Sequence, residues 1–554
     1  MHLLKYFDQL SLRPENAKEI KDLILDLAIR GRLTEEWRLN NVKIAEKIQS
    51  SAKYEAPFKI PNSWRWTILS ESSSINGGFA FKSSKYVNDG VRVIRISDFD
   101  ENGFKDDKIK RYEYSSDLDR YQLENHNILM AMTGGTVGKT YFVENLSERM
   151  FVNQRVATIK IDKGVNPNYI NYTIKTGLIQ SVIHEAKNST NDNISMRDIK
   201  NFKIPLPPFA EQKAIVQIVN QLMEEVDQLE AATTARVTLR QDFIQSSLHQ
   251  LTTENSQQAW SDLQPHFKSF FDTEESIDKL KEAILQLAVQ GKLTRKWRED
   301  NPDIEPASVL LERIKEEKAK LIKEKKIRKE KLLPEIMENE IPYNLPEEWI
   351  ASTINEIANS TEAGKSPKCL NRPADENEWG VIKTTSVQKL KFEEDENKAY
   401  PQGFITGNQA EVKNLDLLIT RAGPFNRTGI VAVAENPRKM LLLSDKTIRI
   451  NFNKKLLSPH YIAIALSAGY SHNILQKLKS GMAKSQVNIS QDKLKSVVVF
   501  LPPIEEQKTI VQLVNQLMDY CDQLKIEISR KNGLEKNFLQ SSIREVIEQS
   551  EAIS

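Results

Sequence analysis

Apolar residues recur in alternating steps of four and three along two stretches of the chain. In Pro207–Glu230 (PPFAEQKAIVQIVNQLMEEVDQLE) they are Ile215, Val219, Leu222, Val226 and Leu229. In Pro502–Lys525 (PPIEEQKTIVQLVNQLMDYCDQLK) they are Ile510, Val514, Leu517, Cys521 and Leu524. That spacing is a heptad seam and predicts two helices. Each follows a diproline that resists helix and carries a first-turn carboxylate, Glu211 or Glu506, suited to the helix dipole. The two stretches lie 295 residues apart and are identical at 16 of 24 positions. A chain with two such seams most simply packs one against the other as a coiled-coil arm. The similar ends FIQSSL (Phe243–Leu248) and FLQSSI (from Phe538) give each helix about 40 residues, roughly 60 Å.

A second pattern is also used twice. IKDLILDLAIRGRLTEEWRLN (Ile20–Asn40) matches LKEAILQLAVQGKLTRKWRED (Leu280–Asp300) at 10 of 21 positions, at an offset of 260. Pro14 can open the first helix, Ile20, Ile24, Leu27 and Ala28 give it an apolar face, and Gly31 can end it. The chain therefore reads as two half-molecules in tandem. Between the helical pieces the period changes to two. VRVIRISDF (Val91–Phe99), NILMAM (Asn127–Met132) and VATIKI (Val156–Ile161) predict strands in the first block, followed by a helix over Tyr169–Lys187. The second block predicts strands at Leu417–Thr420 and Lys446–Asn451 and a helix over Tyr461–Lys479. Both blocks place a tryptophan after a proline near their start (Trp64, Trp349) and NIS (Asn193–Ser195, Asn488–Ser490) near their end. Little else matches between them, as expected of one scaffold adapted to two recognition tasks.

Composition narrows the class. Two cysteines, Cys369 and Cys521, make neither a disulfide framework nor a zinc cluster and suit a reducing cytoplasm. No apolar run reaches the eighteen residues a membrane span needs, and the start shows no signal peptide. Net charge is +2 overall. Pro57–Pro208 carries 21 basic and 17 acidic residues, and Ile341–Pro503 carries 21 and 16, leaving −7 for the rest. Mildly basic blocks between acidic helices suit blocks that meet a polyanion. Ser308–Lys331 alternates both signs at helical spacing and reads as a solvated linker helix or as a phosphate-contacting arm through Lys325, Lys326, Arg328, Lys329 and Lys331.

Complete active sites are not found. TGGTVGKT (Thr133–Thr140) has Thr133 where a P-loop needs its first glycine. The diprolines follow leucine (Leu206, Leu501), not the Asn or Asp of an adenine methyltransferase. The EQK of Glu211–Lys213 and Glu506–Lys508 sits at a helix start, not on a nuclease strand. What remains is a set of turn and basic residues suited to DNA, since Arg reads guanine and Asn or Gln reads adenine. In the first block these are Lys82, Lys85, Arg92, Arg95, Ser97, Thr136, Lys139, Asn153, Gln154 and Arg155. In the second they are Lys365, Lys383, Thr384, Arg421, Asn426, Arg427 and Lys446. The competing readings are an enzyme with its own methyltransferase or nuclease site, and a coiled-coil scaffold that does not touch DNA.

The twice-used PLPPFAEQKAI/FLPPIEEQKTI, the twice-used ILxLAxxGxLTxxWR segment, the TGGTVGK turn and the Lys/Glu helix leading to LPEEW resemble the specificity (S) subunits of type I restriction–modification systems. The resemblance spans essentially the whole chain. It implies an α+β fold: two α/β target recognition domains separated by two long antiparallel coiled-coil helices, with an internal pseudo-twofold tandem repeat. The implied divisions are an N-terminal helical region (1–56), recognition domain 1 (57–208), a central helical region (209–305), a charged helical linker (306–340), recognition domain 2 (341–503) and a C-terminal coiled-coil helix (504–554). It further implies a non-catalytic cytoplasmic protein that reads a split asymmetric site in double-stranded DNA. Its partners would be two methyltransferase (M) subunits and the restriction/translocase (R) subunits, which would hold SAM, ATP and magnesium; this chain would hold no cofactor. Helix surface such as Gln212, Lys213, Gln217 and Gln221 would then be open to M subunits. Two departures stand out: the charged helix is shortened in the first half (Asn40–Lys59), and RAGPFNRTG (Arg421–Gly429) replaces the glycine turn in the second.

Overall fold

The computed structural model describes residues 16–41, 54–187, 192–253, 256–330, 333–334, 336, 341, 343–400 and 410–552. Pro14, Lys331 and most of Asn40–Lys59 lie outside them. The chain divides into two compact units, residues 1–239 with 533–554, and residues 240–532.

Unit 1 starts with α1 (Ala17–Ile29), whose predicted apolar face is buried. The helix ends where Gly31 takes φ +74°, a conformation that suits a residue without Cβ. A Cβ there would also lie 2.6 Å from Pro61 Cγ. Helix α2 (Glu35–Asn40) follows. The chain then runs through β1 (Arg65–Ile68), β2 (Ser73–Gly77), β3 (Val91–Ile94), β4 (Ile128–Ala131), β5 (Thr140–Phe142), β6 (Met150–Val152) and β7 (Val156–Ile161). Next come α3 (Pro167–Lys175), α4 (Gly177–Lys187), α5 (Met196–Lys200), β8 (Lys203–Leu206) and the 44-residue α6 (Phe209–Thr252), of which residues 209–239 belong to this unit. The central antiparallel sheet has the order β2-β7-β4-β5, while β8 returns to pair with β1.

Unit 2 repeats this plan with α7 (Glu274–Val289), α8 (Arg295–Asp300) and α9 (Ala307–Lys323), then β9 (Ile350–Thr353), β10 (Ser360–Ala363), β11 (Asp416–Thr420), β12 (Val431–Ala434) and β13 (Thr447–Asn451). It closes with α10 (Pro459–Ser467), α11 (Gly469–Leu478), α12 (Gln491–Lys495), β14 (Val498–Leu501) and the 49-residue α13 (Ile504–Ala552), of which residues 504–532 belong to this unit. Its main sheet is β10-β13-β11-β12, with β14 pairing with β9.

Three expectations change in detail. Strand Val91–Phe99 stops at Ile94, because the Asp98 carboxylate accepts from the Arg95 backbone N–H and turns the chain. Each predicted recognition-domain helix is a pair. α3 and α4 part at Thr176, held extended with its hydroxyl donating to Thr173 O (2.6 Å), and α10 and α11 part at Ala468 and Gly469 (φ +62°). The charged linker is more than a solvated helix. Ala307, Leu310, Leu311 and Ile314 of α9 are buried in the unit 2 core, and Lys318 donates to the carbonyls of Asn355 and Ala358. Burial pulls the Lys318 pKa down from the usual lysine range.

The twice-used sequences meet in a buried clasp, one per unit. Glu211 has no exposed side-chain surface, and its carboxylate is shared among three donors. Oε1 accepts from Thr34 Oγ1 (2.8 Å) and Arg38 Nη1 (2.6 Å), and Oε2 accepts from Trp64 Nε1 (2.9 Å). Arg38 Nη2 also donates to Gly31 O (2.6 Å). In unit 2, Glu506 takes the same donors from Thr294 (2.7 Å), Arg298 (2.5 Å) and Trp349 (2.9 Å), and Arg298 donates to Gly291 O (2.8 Å). The adjoining glutamine is equally committed. Gln212 donates to Pro207 O and accepts from the Asn166 N–H, as Gln507 does with Pro502 and Ser458. The buried phenols of Tyr169 and Tyr461 donate to the carbonyls of Pro205 and Phe500, both at 2.6 Å, and burial raises both their pKa values far above the usual phenol range. Buried charge is tolerable only when paired and hydrogen-bonded, which explains why Gly, Thr, Trp, Arg, Glu and Gln recur together.

The heptad positions also find partners within each unit. Ile215, Val219 and Val226 pack with Ala17, Ile20, Ile24 and Ala28 of α1, and Lys21 bridges Asp227 (2.5 Å) and Glu230 (3.3 Å). Ile510, Val514 and Cys521 join the cluster holding Ile277, Leu280, Ile284 and Ala288 of α7, flanked by Lys281–Asp522 and Lys525–Asp278.

Candidate DNA-reading edges

In unit 1 the register of the main sheet sets Gly77 opposite Ala157, Val156 opposite Ala131 and Met130 opposite Thr140. The C-termini of β2 and β4 and the N-termini of β7 and β5 therefore share one edge. Four segments converge there. Gly78 N–H donates to Val156 O, Gln154 N–H to Phe79 O, Met132 N–H to Arg155 O and Ile194 N–H to Met132 O. The glycine turn closes by Gly138 N–H donating to Ala131 O (2.9 Å), with Gly138 at φ +79°.

Unit 2 builds the same edge. Ala363 lies opposite Ile448, Thr420 opposite Thr447, and Ile419 opposite Val431. Gly364 N–H donates to Ser444 O, Arg421 N–H to Lys446 O and Ile489 N–H to Arg421 O. RAGPFNRTG, despite its different sequence, closes in the same way: Gly429 N–H donates to Thr420 O (2.7 Å), and Gly429 is also at φ +79°. The NIS motif is explained in both units. Its isoleucine is buried after bridging to the turn, and its serine accepts from a backbone N–H three residues on, capping α5 or α12.

On the unit 1 edge lie Thr136, Lys139, Asn153, Gln154 and Arg155. Asn153 Oδ1 accepts from the Arg155 N–H and stiffens that loop, and Thr136 Oγ1 donates to Thr133 O. The side chains of Lys139, Gln154 and Arg155 are exposed and hold no hydrogen-bond or ion-pair partner among the described residues. Lys82 and Lys85 are likewise exposed and unpaired, on a turn just beyond Phe79 and Phe81. Arg92, Arg95 and Ser97 differ in that each is held by neighbouring groups of the chain. Arg92 is buried, donating to Asp106 (2.8 Å) and Lys105 O (2.7 Å), Arg95 forms a two-pronged pair with Asp98, and Ser97 also donates to Asp98. Their donors hold the β3 turn together.

On the unit 2 edge lie Lys365, Arg421, Asn426 and Lys446. Lys365, Asn426 and Lys446 are exposed, and no side-chain partner is found for them among the described residues. Arg421 makes a long contact with Asn488 (3.4 Å). Arg427 is corrected to a brace: it donates to Gln388 Oε1, Thr384 O and Val387 O beneath the turn. Lys383 is paired with Glu396 (2.8 Å), and Thr384 contributes its carbonyl to that brace. Sequence reading missed Phe425 and Lys479, whose ammonium lies 4.1 Å from the centroid of the Phe425 ring. An apolar residue inside a polar turn was the available clue.

Geometry also bears on the enzymatic alternatives. Gly134–Thr136 is a single 3-10 turn leading into β5, whereas a P-loop leads into a helix. Glu211 and Glu506 are fully buried, each already accepting from three donors of the clasp. Among the described residues, no group of His, Cys, Asp and Glu could hold a metal ion, and no helix is long and apolar enough to cross a membrane. Gln212 is also a correction. It is 1% exposed inside the clasp, whereas Lys213, Gln217 and Gln221 are exposed.

The model of the family described as "Type I restriction modification DNA specificity domain" matches residues 63–239 and 346–536, one match in each half. The type I restriction enzyme EcoEI specificity subunit of Escherichia coli is 33% identical over 92% of this chain and 90% of its own length. The EcoAI specificity subunit of the same organism is 26% identical, with the same coverage. The crystal structure of the HsdS subunit from Thermoanaerobacter tengcongensis aligns over 89% of this chain and 98% of its own at 16% identity, with a TM-score of 0.45. The two matched domains and their relatives define a non-catalytic class whose role is specificity. The chain belongs to the specificity subunits of type I restriction–modification systems.

Proposed function

We propose that each edge reads one half of a split, asymmetric site in double-stranded DNA. The observation that carries this is the twin construction: one backbone frame presents different unpaired side chains in each unit. The long helices hold the two readers at a fixed separation, with half-site centres on the order of one helical turn apart. The chain recruits two adenine-methylating M subunits and the ATP-driven R subunits in the cytoplasm. SAM, ATP and magnesium belong to those partners. Exposed Lys213, Gln217 and Gln221 are available for M docking.

The test is a methylome. Co-expression with the neighbouring M subunit in a methylation-free host should yield N6-methyladenine in a single split motif with a fixed gap. No motif despite a stable complex and a demonstrably active M subunit would overturn the reading. Changing both long helices by whole heptads should alter the gap and leave both half-sites unchanged. An altered half-site with an unchanged gap would contradict the caliper. Lys139 and Arg155 are expected to contact phosphates. Each replacement by alanine should flatten the log–log dependence of binding on salt by about 0.9 per lost contact. An unchanged slope would remove that residue from the phosphate contacts.

A further inference from the structure

The turn on the unit 2 edge is longer than its unit 1 counterpart. The closing bond spans residues 131 to 138 in unit 1 and 420 to 429 in unit 2, two residues more. The extra length includes Phe425, an aromatic side chain left 43% exposed. Exposed rings on turns are ordinarily loose, but this one is held from three sides. The Phe425 N–H donates to Lys484 O (2.8 Å), Lys479 Nζ donates to Phe425 O (2.7 Å), and Arg427 anchors the end of the turn through its three acceptors. Beside it, Asn426 is exposed.

The Lys479 ammonium also sits over one face of the ring, at 4.1 Å from its centroid. A ring with an ammonium on one face is poorly placed to slide between two base pairs, which needs both faces. The ring is fixed in position and apolar, and the residue keeps 43% of its surface exposed. On the base edges of the major groove, the thymine C5-methyl is the apolar feature such a surface can meet. We propose that Phe425 is a specificity-determining residue that reads a thymine methyl group in the half-site of unit 2. This rests on the DNA-reading role proposed above.

The test uses the full chain in complex with its M subunit and cognate duplexes in which each thymine is singly replaced by deoxyuridine, which lacks only that methyl. One replacement should weaken wild-type binding about fourfold, the worth of roughly one buried methylene. Phe425→Ala should bind the unmodified duplex about as weakly and no longer distinguish thymine from uracil at that position. Lys479→Met, which releases the ring but keeps it, should blunt the same discrimination. The proposal is overturned if no replacement weakens wild-type binding, which includes a half-site without thymine. It is overturned as well if Phe425→Ala still discriminates, or if it weakens thymine and uracil duplexes equally below wild type on uracil, the pattern of a wedge. If wild type binds the cognate duplex no better than a scrambled one, the DNA-reading role itself fails.

Discussion

Glu211→Ala is expected to destabilise unit 1 by about 3–5 kcal/mol, the typical result of removing one partner of a buried ion pair. The loss is large because the substitution strips three donors at once. Arg38 would keep its charge in a site where its side chain is only 15% exposed, and the hydroxyl of Thr34 and the indole N–H of Trp64 would lose a buried acceptor. Glu506→Ala should do the same to unit 2 through Arg298, Thr294 and Trp349. Denaturant titration followed by residue-level hydrogen exchange would locate each effect: residues 17–40 should lose protection in the first variant and residues 274–300 in the second. A double-mutant cycle with Arg38→Met should show strong coupling. A loss below about 1 kcal/mol would mean that the clasp contributes no more than a surface ion pair.

Gly78→Ala should erase the half-site read by unit 1, and Gly364→Ala the half-site read by unit 2. A Cβ on Gly78 would lie 1.9 Å from Val152 O and 2.6 Å from the Asn153 carbonyl carbon; on Gly364 it would lie 1.8 Å from Leu443 O. These neighbours are backbone, so no side chain can swing aside and the strand end itself must move. Overpacking of this kind costs about 1–3 kcal/mol in stability. The larger effect should be on reading, since Asn153, Gln154 and Arg155 ride on the segment displaced in unit 1. Two lost base contacts at about 1–3 kcal/mol each are a roughly 30-fold to 10⁴-fold loss of affinity for the cognate site. Methylome mapping of the two variants should show one half-site degenerate and the other intact, in opposite senses. Motifs unchanged in both would show that these edges are not the reading surfaces.

The frame was legible in the sequence because its residues do the same buried task twice. Gly31/Gly291, Thr34/Thr294, Trp37/Trp297, Glu211/Glu506 and Gln212/Gln507 recur at fixed offsets, and all but the Trp37/Trp297 pair converge in the two clasps. The strands Ile128–Ala131 and Val156–Ile161 were legible from their apolar runs between turn residues. The split of the Tyr169–Lys187 helix was not, since Thr176 is no helix breaker by type and its hydroxyl finds Thr173 only once folded. The structure brings Lys139 to the same edge as Asn153–Arg155, and Lys446 to the same edge as Arg421. Residue type alone did not separate the exposed Lys139 from the braced Arg92 and Arg427. Arginine reads DNA and braces turns with the same donors, and what separates the roles is a partner far along the chain: Asp106 for one, Thr384, Val387 and Gln388 for the other.

The clasp has a consequence for how such chains change over generations. Its donors and acceptors come from the α1–α2 turn and α2, the tryptophan before β1, the residue before α3 and the start of α6 with the proline ahead of it, or from their unit 2 counterparts. None comes from the loops between β2 and β7 that carry the proposed reading residues. Selection on the connector and selection on the reader therefore act on separate stretches of gene. An exchange within those loops can deliver a new half-site in one step without disturbing the parts that every version must share.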